Sequence, residues 1–180
     1  MPDLHINGDP AMTRALVAAG AFADDPMVVV DVGARGGVEW YWQVFGDDVR
    51  IIAFEADAEE AARLNARGEK NVTFVAAALG AENGPRTLYL TRHADSSTFY
   101  PAVPEWDDRF SQGQNLHVSR TIEITTTTLR EALKGRAIDF MKIDAEGAEF
   151  DVLQGADLAP VLGIIAELNF GQSPSGQPSF

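Results

Sequence analysis

Apolar residues recur along the chain in short blocks, none of them long. Val28-Val29-Val30 runs into Asp31 and then into the turn Val32-Gly33-Ala34-Arg35-Gly36-Gly37. A β-branched block bounded by glycines predicts a buried strand, and glycines in the turn permit positive φ and close approach of the backbone to a ligand. Val38 to Phe45 then predicts a helix, whose N-terminus offers free N–H groups and partial positive charge. Ile51-Ile52-Ala53-Phe54 repeats the pattern and ends in Glu55. Asp57 is placed to cap a helix reaching about Arg67, with Ala58, Ala61 and Leu64 inward and Gly68 as its stop. Asn71 to Val75 predicts a third strand running on through three alanines, Ala76 to Ala78. Thr87 to Thr91 and Thr121 to Thr126 alternate as strands do. Thr128-Leu129-Arg130-Glu131 has the form of a capping box, opening a helix to Lys134 that Gly135 closes. Ile138 to Ile143 predicts a fourth central strand and Val161 to Leu168 a fifth, with a helix ending near Gln154 between them. At the start, Asp9-Pro10 reads as N-cap and first turn of a helix with Met12, Ala15, Leu16 and Ala19 on one face, lying over the edge or mouth of the domain.

Strands that alternate with helices imply an α/β domain, with a mostly parallel sheet and helices on both faces. Residues 1–170 form that single domain, with 1–27 as an N-terminal helix and connector and 171–180 as a flexible tail. Residues 92–119 break the alternation. They carry aromatics, prolines and histidines without a period, and so long a loop in a compact domain is expected to be functional, here as a substrate-side lid. Its Phe99, Tyr100 and Trp106 are candidates for gripping an acceptor. Trp40, Tyr41 and Trp42 are expected to pack. Ligands of such sheets bind beyond the strand C-termini, where strand order reverses. Asp31, Glu55, Asp144 and Glu167 all fall at or near such ends.

Composition narrows the ligand. The chain has 180 residues and a net charge of −13, so its surface repels phosphate backbones and a nucleic-acid partner is not expected. There is no cysteine, which removes thiolate nucleophiles and thiolate metal sites. No run reaches the roughly 18 apolar residues of a membrane span, and the start lacks a signal-peptide pattern. A cytoplasmic protein acting on a small molecule, away from membranes, is the expectation.

The turn after the first strand does not fit the dinucleotide pattern, because Arg35 and Val38 stand where glycines are needed, and GxxxxGK[ST] is absent. What stands there is Asp-x-Gly-Ala-x-x-Gly, Asp31 to Gly37. This resembles the first motif of Rossmann-like S-adenosylmethionine-dependent methyltransferases, and an acid before the turn suits a ligand carrying an ammonium and a sulfonium. Phe54-Glu55-Ala56-Asp57 resembles the F-E-P-D segment of FkbM-type methyltransferases, with Ala56 where proline is usual. Met141-Lys142-Ile143-Asp144-Ala145-Glu146-Gly147-Ala148-Glu149 is similar to that family's K-I-D-x-E-G-x-E signature, and Val152 to Ala156 to its continuation.

The resemblance, over roughly residues 28–170, implies a class I methyltransferase fold with S-adenosyl-L-methionine as cofactor. It implies that Gly33, Ala34 and Gly37 lie along the methionine moiety and that Glu55 holds the ribose hydroxyls with Asp57 close to the nucleoside, Asp31 and Ala56 belonging to the same cofactor-binding set. Arg35 replaces the asparagine usual at its place, and either pairs with the methionyl carboxylate or swings to solvent. The family fold continues past the fifth strand with a helix and a strand pair. Either more chain follows, or a partner completes the edge, as in a homodimer.

Methyl transfer to a hydroxyl on a small molecule, sugar or natural product needs a base, because the hydroxyl is a poor nucleophile until its proton is removed. Asp144 and Glu146 are the candidates. The competing reading has acids here capping the next helix, Glu149 above all. No metal site is expected, since no spacing supports Asp144 with His93 or His117. Two rivals remain: a nucleoside-binding module without catalysis, and a nicotinamide-dependent oxidoreductase.

Overall fold

The computed structural model describes residues 10–93, 96–101, 103–109, 111, 113–168 and 176–178. In chain order the elements are α1 (Ala11–Ala18), β1 (Met27–Val32), a 3-10 segment (Trp40–Asp48), β2 (Val49–Glu55), α2 (Ala58–Asn65), β3 (Val72–Ala76) and β4 (Ala78–Leu79). There follow β5 (Gly84–Thr91), α3 (Pro104–Asp107), a 3-10 turn (Gly113–Leu116), β6 (Val118–Thr127), α4 (Leu129–Leu133), β7 (Phe140–Ile143), α5 (Glu149–Gln154) and β8 (Gly163–Ala166).

Five strands form one parallel sheet in the order β3-β2-β1-β7-β8. Side chains alternate across it. Val30, Val32, Ile52, Phe54, Met141 and Ile143 face one way, into a core closed by Leu129 of α4 and Val152 of α5. Val29 and Ile51 face the other way, under Trp42. Ala53 lies on that side too, against Ala61 and Leu64 of α2. Both faces are covered, which is why the strands read as continuous apolar runs rather than alternating ones. The chain builds outward from β1 through β2 to β3, then returns to lay β7 and β8 on the other side of β1. Strand order therefore reverses between β1 and β7.

The predicted pair Thr87–Thr91 and Thr121–Thr126 lies outside this sheet. Longer strands β5 and β6 pair antiparallel, Leu88 opposite Ile122, and with β4 make a second three-stranded sheet. β6 begins at Val118, so the predicted lid loses its last residues to a strand. Its polar start, Val118-Ser119-Arg120, hides the strand from a hydrophobicity reading, and the partner β5 supplies it.

Two further differences concern helices. Val38 to Phe45 is not α-helical: residues 40–48 form 3-10 turns broken at Gly46 (φ 54, ψ −120), with no side-chain cap at Glu39. Three residues per turn place Trp42 and Phe45 on one side, and their rings lie 6.5 Å apart over the core. Trp42 also meets Phe140 at 5.6 Å, whereas Trp40 is exposed. The second is α1, which starts from Pro10 at its N-cap, buries no residue, and lies against the 3-10 segment rather than over the cavity. Met12 of its expected inward face is 76% exposed. Asp9 falls outside the described residues, as does most of the predicted tail. Among the described residues no helix is long and apolar enough to cross a membrane.

Candidate functional site

A cavity of about 880 Å³ opens where β1, β2 and β7 end. The turn after β1 is fixed first by its backbone. The amides of Gly33 and Ala34 both donate to the Phe54 carbonyl at 3.1 Å, which ties the turn to β2, and Asp144 N–H donates to the Val32 carbonyl at 3.0 Å. Gly33 has φ +78, and a Cβ there would fall 1.8 Å from the Asp144 carbonyl oxygen. Glycine is thus required for the β1 and β7 exits to touch. Farther out, Gly36 N–H donates to Glu60 Oε1 at 3.0 Å and Arg67 donates to the Gly36 carbonyl, so α2 holds the rest of the turn.

Gly33, Arg35, Glu55, Ala56 and Asp57 line the cavity, and so do Asp144 and Glu146. Asp31, Ala34 and Gly37 do not. Ala34 is buried with Ala53, Ala61, Leu64 and Phe74. Gly37 (φ +132) backs onto Arg67. Asp31 is 0% exposed, and neither of its carboxylate oxygens has a hydrogen-bond partner among the described residues. It sits beside Lys142 in the sheet register, on the face covered by the 3-10 segment. Lys142 Nζ is 3.4 Å from Asp31 Oδ1 and 3.4 Å from Asp144 Oδ2, so one ammonium spans the two acids. Burial pushes the Asp31 carboxyl up to about 6, Lys142 opposes that, and the nearby Glu39 charge adds to it.

At the end of β2, Glu55 is also buried, which raises its pKa, and its Oε1 accepts from Asp57 N–H at 2.8 Å. The Asp57 carboxylate caps α2, accepting from the amides of Glu59 and Glu60 at 3.0 and 3.3 Å. Arg35 Nη1 stands 3.5 Å from Asp57 Oδ2, so the first-motif arginine lies beside a neighbouring acid.

The loop after β7 divides its acids. Glu149, 4% exposed, accepts from the amides of Ala145 and Gly147 at 2.9 and 3.0 Å and shapes the loop from below. The α5 N-cap, Ala148, has no side-chain capping bond, so neither Asp144 nor Glu146 takes that part. Glu146 adopts left-handed φ +49. Asp144 faces Lys142 and Glu167, and Glu167 is raised above the ordinary carboxyl range by burial first and then by Asp144. His117 Nε2 pairs with Asp108 at 2.8 Å, within its own loop.

The segment expected as a lid contributes an extra strand segment. Thr98 exchanges two backbone bonds with Tyr89, at 2.8 and 3.1 Å, and Ser97, Thr98 and Phe99 line the cavity. Tyr100 donates to Asp151 Oδ2 at 2.9 Å, and Arg86 pairs with the same oxygen at 2.5 Å while lying 4.2 Å over the Phe99 ring. The Trp106 side chain falls outside the described residues. Sequence reasoning missed Arg86, Asp151 and the role of Lys142. It also missed the wall built by β5 and β6, although the alternation in Leu88-x-Leu90 and Ile122-x-Ile124 was there to find.

Among the described residues the lining holds five carboxylates against two guanidiniums. That donor set fits a cationic ligand better than a pyrophosphate. A family model described as the methyltransferase FkbM domain matches residues 31–180. No curated protein and no solved structure matches the chain.

Proposed function

The chain belongs to the FkbM methyltransferase family, and from that premise we propose that it uses S-adenosyl-L-methionine to methylate a hydroxyl of a small molecule. The observation that carries the reading is the meeting of Gly33, Glu55 and Asp144 in one cavity at the point where strand order reverses. When bound, the cofactor supplies a methyl carbon already activated by its sulfonium. Glu55 would accept from the ribose hydroxyls, and its burial would strengthen that contact by removing water. Gly33 and Arg35 would border the methionyl end, with Asp144 supplying negative charge near the sulfonium.

Asp144 is the base. It borders the cavity, and Lys142 Nζ stands 3.4 Å from its Oδ2. Oxygen transfer requires an acceptor of the hydroxyl proton within reach, and Asp144 provides it, with Glu167 as the neighbour that shares the proton afterwards. Glu146 lines the same space and orients the acceptor. A small-molecule acceptor, rather than a nucleic acid, agrees with the charge of −13. Asp144→Asn should lower turnover by roughly 10²–10⁴-fold, the usual worth of a general base, with cofactor affinity by calorimetry within about twofold of wild type. An unchanged rate removes Asp144 from the mechanism, and binding without transfer to any hydroxyl acceptor favours a non-catalytic nucleoside-binding module.

A further inference from the structure

The cavity, at about 880 Å³, lies near the top of the ~300–1,000 Å³ range for ligand pockets, and its two walls differ in kind. Acids gather at the ends of the parallel strands. Across from them stands one face of the β5–β6 pair. The register sets Arg86 opposite Ile124, Leu88 opposite Ile122 and Leu90 opposite Arg120. Opposed residues and residues two apart share a face, so these six form one surface. Leu88, Leu90, Ile122, Ile124 and Arg120 all line the cavity, and Ile122 remains 36% exposed.

The arginines at the two ends of this face are used differently. Arg86 is committed to Asp151 and to the Phe99 ring. Arg120 is exposed, and among the described residues no ion pair engages it. Arg35, the other cation of the lining, stands beside Asp57. A bare sugar laid on this wall would bury hydroxyls against leucine and isoleucine without partners, which is unfavourable. A cationic acceptor would meet Arg120 with like charge.

We propose that this wall is the acceptor subsite and that the acceptor is an anionic amphiphile. Its apolar body lies on Leu88, Leu90, Ile122 and Ile124, and an anionic oxygen group is held by Arg120, which can take it in bidentate fashion. The assignment rests on the methyltransferase reading, since it presumes that the acceptor's hydroxyl reaches the Asp144 side.

Calorimetry on the whole chain, with and without saturating S-adenosylhomocysteine, tests it with three probes: 10-hydroxydecanoate, monodecyl phosphate and decane-1,10-diol. At least one anion should bind one to one and at least about tenfold tighter than the diol, and the tighter of the two identifies the anionic group. Arg120→Gln should bring that anion down to the level of the diol, and Ile122→Asp should abolish binding of all three. S-adenosylhomocysteine affinity should stay within about twofold in both variants, which also reports that they are folded. Absence of S-adenosylhomocysteine binding by the wild type, with the anions still binding, overturns the methyl-donor reading and leaves the subsite standing. S-adenosylhomocysteine binding with no anion bound, with diol and anions bound equally, or with Arg120→Gln unchanged, overturns the amphiphile.

Discussion

Asp31 shows how far a residue's neighbourhood can depart from its place in a motif. The sequence puts it at the rim of the ligand site, as the acid that ends the first strand. The fold turns its side chain to the face under the 3-10 segment, where it is fully buried beside Lys142. Desolvation holds its pKa near 6 against an ordinary 3.8, so the folded state binds this proton more tightly than the unfolded chain does. The stability that Asp31 contributes is whole below about pH 4 and is lost as pH rises through about 6, by about 3 kcal/mol for a shift of this size. Asp31→Asn has no such proton to lose. Urea unfolding at pH 4.5 and pH 7 should show the variant gaining on wild type as pH rises, and parallel profiles would contradict the assignment. Glu55 and Glu167 are shifted in the same direction, so the wild-type decline will exceed the part that Asp31→Asn removes. Gly33 carries a related lesson. That a glycine was needed could be read from the turn, but the Asp144 carbonyl that demands it lies more than a hundred positions away and is visible only once β1 and β7 are neighbours.

Among the elements, those set by local chemistry follow their sequence signals most closely. Asp57 caps α2 through two amides, as a helix-starting aspartate should. The Thr128 box is met in half: Thr128 Oγ1 accepts from Glu131 N–H at 3.2 Å. The returning bond goes elsewhere, because Asn83 Oδ1 accepts from Thr128 N–H at 2.9 Å and Asn83 Nδ2 donates to Glu131 Oε2 at 2.6 Å. An asparagine from the turn before β5 has entered the box and joins the second sheet to α4. Asn83→Ala should therefore lower stability by about 1 kcal/mol, the net worth of exposed hydrogen bonds. In a cycle with Thr128→Ala it should be non-additive, read from urea midpoints, whereas simple additivity would place Asn83 outside the cap. Leu129 follows the same helix into the core, and truncation to alanine should be far more damaging, about 2–5 kcal/mol. Elements set by distant partners were not legible. The aromatic run at 40–45 carries enough apolar residues for a helix, and it takes 3-10 turns because Trp42 and Phe45 must both reach the core. The β5–β6 register, which gathers the apolar wall, is a matter of pairing that no single strand encodes.

At the level of the whole molecule, the sheet order does what no local motif can. By returning β7 to the side of β1 opposite β2, it brings acids from two separate segments, the exits of β2 and β7, to one rim and leaves them around a shared hollow. The alternation of apolar strands and helices predicted a parallel sheet covered on both faces, and the structure has it. It did not predict the second sheet, because β-alternation reports that a strand exists and not which sheet it joins. Of the cavity lining, Gly33, Arg35, Glu55, Ala56, Asp57, Asp144 and Glu146 were legible, since motif spacing marks strand ends, whereas Asp31, Ala34 and Gly37 of the same motif lie outside it. The opposite wall was not. We propose this rim as a berth for a positively charged sulfur nucleoside, and titration calorimetry with S-adenosylhomocysteine and S-adenosylmethionine is the decisive measurement. Each compound should occupy one site per chain, with Glu55→Gln weakening both by about tenfold through the lost ribose contact. Folded wild-type protein that binds neither compound, or Glu55→Gln that binds both as wild type does, would contradict it.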